Sequence, residues 1–217
     1  MISSPLHLRR VLLCAASIIV TTLVGDGCAK AQTAAPPPKP LPAPALMLTP
    51  LVGQPIVVLP ASFVVTDGNV AGIPAGRAAQ LAWVDSLVGE ALQTRGPEAK
   101  WMLPAEVRRV ARRAPGMVTD PDQMGQAAMR FEGLKKVPDP LFANIRSLVA
   151  MTGSRFVMIP AAIRFSAVPE GVRVEATYVL TDGRNGLIPY RSSPVATAAT
   201  AAAALTATIA RILPDIR

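Results

Sequence analysis

Cysteine and histidine are nearly missing from this chain. Its 217 residues hold two cysteines, Cys14 and Cys28, and a single histidine, His7, all ahead of position 29. If a leader is removed after Ala31, the rest of the chain has neither residue type. That excludes disulfides, thiol nucleophiles and imidazole general bases. It also excludes nearly every usual zinc, copper or haem ligand set. Aromatics amount to 4%. Past the leader only Trp83, Trp101, Tyr178 and Tyr190 offer large polar rings, a poor supply for stacking on sugars or on unpaired bases. No apolar run reaches the roughly 20 residues that a membrane-spanning helix needs.

One such run, Val11–Val24, follows Arg9 and Arg10 and carries no charge. A basic start, a short apolar stretch and the small residues of Ala29-Lys30-Ala31 make a secretory leader over residues 1–31, cut between Ala31 and Gln32. A competing reading makes Cys28 the lipid-bearing first residue of the mature chain. Gly27 fits that reading, whereas Gly25 and Asp26 do not. Either processing route exports the remainder to the periplasm or the extracellular space, with an outer-membrane anchor only where Cys28 carries lipid.

Residues 32–53 form a proline-rich linker, with prolines at 36, 37, 38, 40, 42, 44 and 50. Its proline-bearing part, 34–50, favours extended polyproline II and acts as a spacer of about 40–50 Å at about 3.1 Å per residue. Residues 54–217 amount to one ordinary domain.

Within that domain, "QPIVVLPASFVV" (54–65) reads as a buried opening strand, and "TDGNVAGIPAG" (66–76) as turns. Residues 77–96 space Leu81, Val84, Leu87, Val88 and Leu92 for a helix that Gly96-Pro97 ends. "KWMLP" (100–104) reads as a short strand whose proline opens a second helix, "AEVRRVARRA". Helices are expected again over 119–134, capped by Thr119 or Asp120, and over 139–153, capped by Asp139. A strand follows at 154–168. Residues 171–192 hold the next strand and a turn at 182–186 that sends the chain back along another, and an amphipathic helix spans 200–213. Strand–helix–strand order requires parallel neighbours at the start, and the later hairpin adds antiparallel strands. The fold class is therefore α/β (α+β): a single mixed-sheet domain with helices packed on it, preceded by a signal peptide and a proline-rich linker.

"VVLP" at the first strand, "GSRFVMIPAAI" at 153–163 and "TYVLTDGRNGLIPYRS" at 177–192 together resemble the amino-terminal α/β domain of TolB and related domains of CsgG-type envelope lipoproteins. That resemblance implies a non-catalytic envelope adaptor or assembly domain.

Three stretches invite chemistry. Asp120-Pro121-Asp122 is a carboxylate pair at a helix start, where a cap and a dipole-favoured charge explain it. The glycine-rich 66–76 segment matches neither G-x-G-x-x-G nor G-x-x-x-x-G-K-[ST], which leaves nucleotide binding unsupported. Arg108, Arg109, Arg112 and Arg113 share one helical face and form a candidate site for an anion or a protein partner. The formal charge of the whole chain is +8. The expected function is an exported, non-enzymatic domain that mediates protein assembly in the envelope. It would have no cofactor, metal or nucleic-acid partner, and membrane association only through a lipidated Cys28. Alternatives are a module that binds an anionic ligand or lipid head group on the arginine face, and a hydrolase that works without histidine.

Overall fold

The computed structural model describes residues 44–47 and 49–213. The leader, the Ala31–Gln32 junction and Cys28 lie outside the described residues.

Seven strands form one mixed sheet. β1 (Pro55–Val58) lies between β3 (Lys100–Met102) and β4 (Phe156–Val168), parallel to both. β4 turns back into β5 (Gly171–Asp182) as a long antiparallel hairpin. β5 then takes two short antiparallel partners, β6 (Tyr190–Ser192) and β7 (Val195–Ala198). The parallel start and antiparallel finish are those the element order requires.

The expected single strand over 54–65 is split. β1 ends at Val58, and a separate β2 (Val64–Asp67) resumes beside β4 with the same parallel sense. The cause lies at Pro160, which has no N–H to return to Leu59 and marks a register shift in β4 before Ala162, while the Ala61 N–H is diverted to Asp85 Oδ1. Hydrogen bonds from Leu59 N to Met158 O and from Ile163 N to Phe63 O carry the pairing across the kink.

Alternation along the strands divides the core between two faces. Ile56, Val58, Phe165 and Tyr178 pack with Val84, Val88 and Leu92 of α1 (Arg77–Arg95) and with Leu205 and Ile209 of α4 (Ala201–Ile212). Val57, Val157, Ile159 and Val179 pack with Val107 and Ala111 of α2 (Pro104–Arg113) and with Ile145 and Leu148 of α3 (Leu141–Thr152). Leu46 and Leu51, from the end of the proline-rich segment, are buried in the first of these clusters.

Two local expectations are corrected. The helix over 119–134 is replaced by two 3-10 turns, Pro121–Gln123 and Gln126–Arg130. Gly125 between them sits at φ 78°, a left-handed conformation that ends a right-handed turn. Asp139 makes no side-chain cap to α3, whose N-cap is Pro140. Among the described residues no helix is long and apolar enough to cross a membrane.

Candidate functional site

α2 is where the sequence places its arginines, and the structure gives them unequal roles. Arg108 turns toward the body of the domain. Its Nη2 donates to Oδ2 of the buried Asp85 on α1 at 2.7 Å. Its Nε and Nη2 also grip both carboxylate oxygens of Asp122 at 2.8 and 2.7 Å. Asp85 in turn accepts the Ala61 N–H at 2.7 Å through Oδ1. This chain of contacts ties α1, α2, the loop after β1 and the Pro121–Gln123 turn together. Burial pushes the Asp85 carboxyl above its ordinary value, against the downward pull of the Ala61 amide and the Arg108 guanidinium. Arg108 is held protonated, chiefly by its hydrogen bonds to Asp122, and the same bonds hold Asp122 below its ordinary value.

Arg109, Arg112 and Arg113 are exposed. Arg112 shares a shallow cleft of about 240 Å³ with Arg108, Asp120 and Asp122, so carboxylates line the same cleft. Asp120 fills its expected capping role, with Oδ1 accepting the Asp122 N–H at 3.1 Å. The arginine face is thus part ion-paired clamp and part open positive surface.

Two features escaped sequence reasoning. The first is an apolar cleft of about 580 Å³ between residues 45–47 and 50–51 on one side and the end of the sheet on the other, walled by Leu46, Leu51, Phe156, Leu180, Leu187 and Tyr190. The incoming segment is stapled there by Leu46 N to Ile212 O (2.7 Å) and by Tyr190 Oη to Pro44 O (2.7 Å). Leucines among prolines at 46 and 51 were its only signal in the sequence. The second is the free side of β2. Its register with β4 commits Phe63, Val65 and Asp67 to the ladder and turns the N–H and C=O groups of Val64 and Thr66 outward. Among the described residues those groups have no hydrogen-bond partner. The two-way split of the strand creates this edge: β3 covers β1 and stops before β2.

These elements define a mixed α/β sandwich with an open edge at β2 and a basic helix. No family model and no curated protein matches the chain. Among solved structures it is similar to the LpoB C-terminal domain from Salmonella enterica, at 10% identity over 68% of this chain and 84% of that one, with a TM-score of 0.41. It is also similar to the PelC dodecamer from Paraburkholderia phytofirmans (16% identity, 79% and 91% coverage, TM-score 0.38). A third likeness is to lipoprotein GNA1162 from Neisseria meningitidis (16%, 67% and 81%, TM-score 0.33).

These neighbours correct the resemblance to TolB and CsgG-type domains, neither of which is among them. The quoted motifs encode a buried strand and a tight glycine turn. Any mixed sheet with this order of elements needs both, so they do not separate one such family from another.

Proposed function

We propose that this chain is an exported, non-enzymatic domain that makes protein contacts in the cell envelope. The single observation that carries the reading is the outward edge of β2, where two residues present main-chain donors and acceptors that have no partner among the described residues. An open edge is an aggregation hazard unless it is kept short or covered by a partner. Here it is four residues long and ends on the Asp67–Arg164 ion pair, a charged stop that discourages indiscriminate pairing. The leader and the proline-rich spacer read from the sequence supply export and reach. A lipoprotein among the similar structures is compatible with this reading and carries none of its weight.

The test is recovery of crosslinked partners from envelope fractions with the native chain and with Val64→Pro. Proline at 64 removes an outward N–H and leaves the ladder to β4 intact, though it also trims the contact Val64 makes with the core, and Thr66→Pro is the independent second variant. Loss of a specific partner in both variants, each still unfolding cooperatively well above the assay temperature, is the expected result. Equal recovery from the native chain and both variants refutes the edge as the contact. The mass of the mature N-terminus separates a chain beginning at Gln32 from one beginning at a lipidated Cys28.

A further inference from the structure

At the end of β2 nearest Phe63, the sheet edge opens into a polar cleft of about 320 Å³ that includes Arg77, Gln126 and Arg130 in its lining. Both arginines keep donors in reserve. Arg77, the first residue of α1, uses Nη2 on Ser62 O at 2.8 Å. Arg130 uses Nε on Ala127 O at 3.2 Å and lays its guanidinium over the Phe63 ring at 4.2 Å. Their remaining N–H groups have no partner among the described residues. The first turn of α1 contains no acidic side chain and Gly76 supplies no side-chain cap, so the positive end of that helix is uncompensated as well. Asp122 also lines the cleft, but Arg108 occupies both of its oxygens.

Gln126 is the independent indication of a ligand. It is 2% exposed, and its Nε2 donates to Pro60 O at 3.0 Å. Its Oε1 is buried with no hydrogen-bond partner. A buried acceptor left unsatisfied costs about 1–3 kcal/mol and calls for a donor. The cleft therefore asks for two things at once: an anion for the two guanidinium groups and an N–H or O–H for Gln126.

We infer that the cleft receives the C-terminal carboxylate of an extended peptide added to the edge of β2. β2 runs away from the cleft, from Val64 to Asp67, so a strand added antiparallel runs toward it and ends in it. Val64 and Thr66 hold the peptide main chain, Arg77 and Arg130 take the carboxylate, and the last peptide N–H meets Gln126 Oε1. Paired guanidinium donors suit a planar carboxylate, and edge addition with end capture is an established mode of peptide recognition. A bare inorganic anion would leave both Gln126 Oε1 and the strand edge unused. This inference rests on the protein-contact reading and gives it a partner chemistry.

The experiment measures binding of a pool of N-acetyl octapeptides, randomised at the last four positions, to the immobilised full chain. The same pool with amidated C-termini and free N-acetylglycine are run beside it. Amidation is expected to weaken retention about tenfold or more, the worth of a charge-assisted contact. Arg77→Gln and Arg130→Gln should each do the same while melting at the native temperature, whereas Arg211→Gln, at an exposed position on α4, leaves binding unchanged. Equal retention of amidated and free-acid pools overturns the inference. So does a folded Arg77→Gln/Arg130→Gln double variant that binds like the native chain. N-acetylglycine binding as tightly as the peptides removes the role of the strand edge and overturns it too. If the free-acid pool is not retained while Val64→Pro still abolishes envelope recovery, this inference alone falls; if neither effect is seen, the protein-contact reading falls with it.

Discussion

Replacing Arg108 by methionine tests whether the α1–α2 clamp holds the domain together. The substitution keeps the aliphatic stem but strips the guanidinium from a carboxylate whose side chain is 7% exposed. Breaking a buried pair by removing one partner costs about 3–5 kcal/mol, because the other charge is left uncompensated. Arg108 itself is 26% exposed and Asp122 is 40% exposed, so the lower end applies and the Asp122 contact adds little. The expected loss is about 3 kcal/mol at neutral pH, or about 6–12 °C in melting temperature for a domain of this size.

The pH dependence has a definite sign. Burial raises the Asp85 carboxyl above 3.8 in the native chain, and removing Arg108 takes away one of the forces pulling it down, so it rises further. A raised carboxyl favours the folded state most fully below its unfolded pKa and loses that benefit as pH rises through its folded value. Asp122, lowered chiefly by its hydrogen bonds to Arg108, contributes stability above 3.8 that fades as pH falls. Both trends shrink the gap between the two proteins in acid. Urea unfolding at constant ionic strength, at neutral pH and below pH 3.8, reads the gap directly. Adding Asp85→Asn, which keeps an acceptor for the Ala61 N–H, should recover most of the loss. A cost under about 1 kcal/mol at neutral pH, or a gap that stays constant or widens in acid, refutes the assignment of Arg108 as a clamp.

Gly171→Ala should cost about 2–4 kcal/mol in the same unfolding assay, since a Cβ there would collide with the Ala198 carbonyl oxygen and φ is 128°. Tyr178→Phe removes a fully buried hydroxyl from its 2.9 Å contact with Thr208 Oγ1 and should cost about 1–2 kcal/mol. Burial pushes Tyr190 up to about 12 and Tyr178 higher still, so phenolate absorbance should stay absent through the usual tyrosine range. Stability should then fall as pH rises from 10 toward 12, because the unfolded chain releases those protons first. Tyr190→Phe unhooks Pro44 and should speed proteolytic cutting ahead of Leu51 without a large change in melting temperature. Arg191→Met should leave stability unchanged or raise it by about 1 kcal/mol, because all three guanidinium nitrogens are buried without a hydrogen-bond partner; a loss above about 1 kcal/mol in the unfolding assay refutes this.

Much of the architecture was legible because apolar spacing and terminators agreed. α1 stops at Arg95, just ahead of the Gly96-Pro97 pair that marks its end, and α2 opens on Pro104. The alternation of Val172, Val174, Ala176 and Tyr178 matches one buried face of β5. What misled was proline and glycine acting in three dimensions. Pro160 reads in the sequence as a mere interruption of its own strand, yet it withholds a donor from the neighbouring strand while Asp85 takes the Ala61 N–H, and together they break the sheet's outer line into β1 and β2. Gly125 lies inside a sequence with good helical caps and spacing, and its left-handed backbone turns a would-be helix into two short turns. Met124 and Met129 still reach the core from those turns, so apolar periodicity alone could not reveal the difference.

The candidate sites show the same limit from the side of charge. Helical spacing puts four arginines of α2 on one face, but it carries no information about Asp85, which lies 23 residues earlier on a helix that packs against the opposite face of the sheet. Only the folded chain shows that Arg108 answers a buried carboxylate and is unavailable to a ligand, whereas Arg77 and Arg130, 53 positions apart and unremarked in the sequence, converge with reserve donors at an open edge. An arginine whose carboxylate is already within 3 Å has spent its electrostatic attraction on the fold. One that bonds only a carbonyl keeps nearly its full charge for a partner. By that criterion Arg108 is withdrawn from the candidate face of α2, while the exposed Arg109, Arg112 and Arg113 keep their charge, as Arg77 and Arg130 do beside β2 and the start of α1.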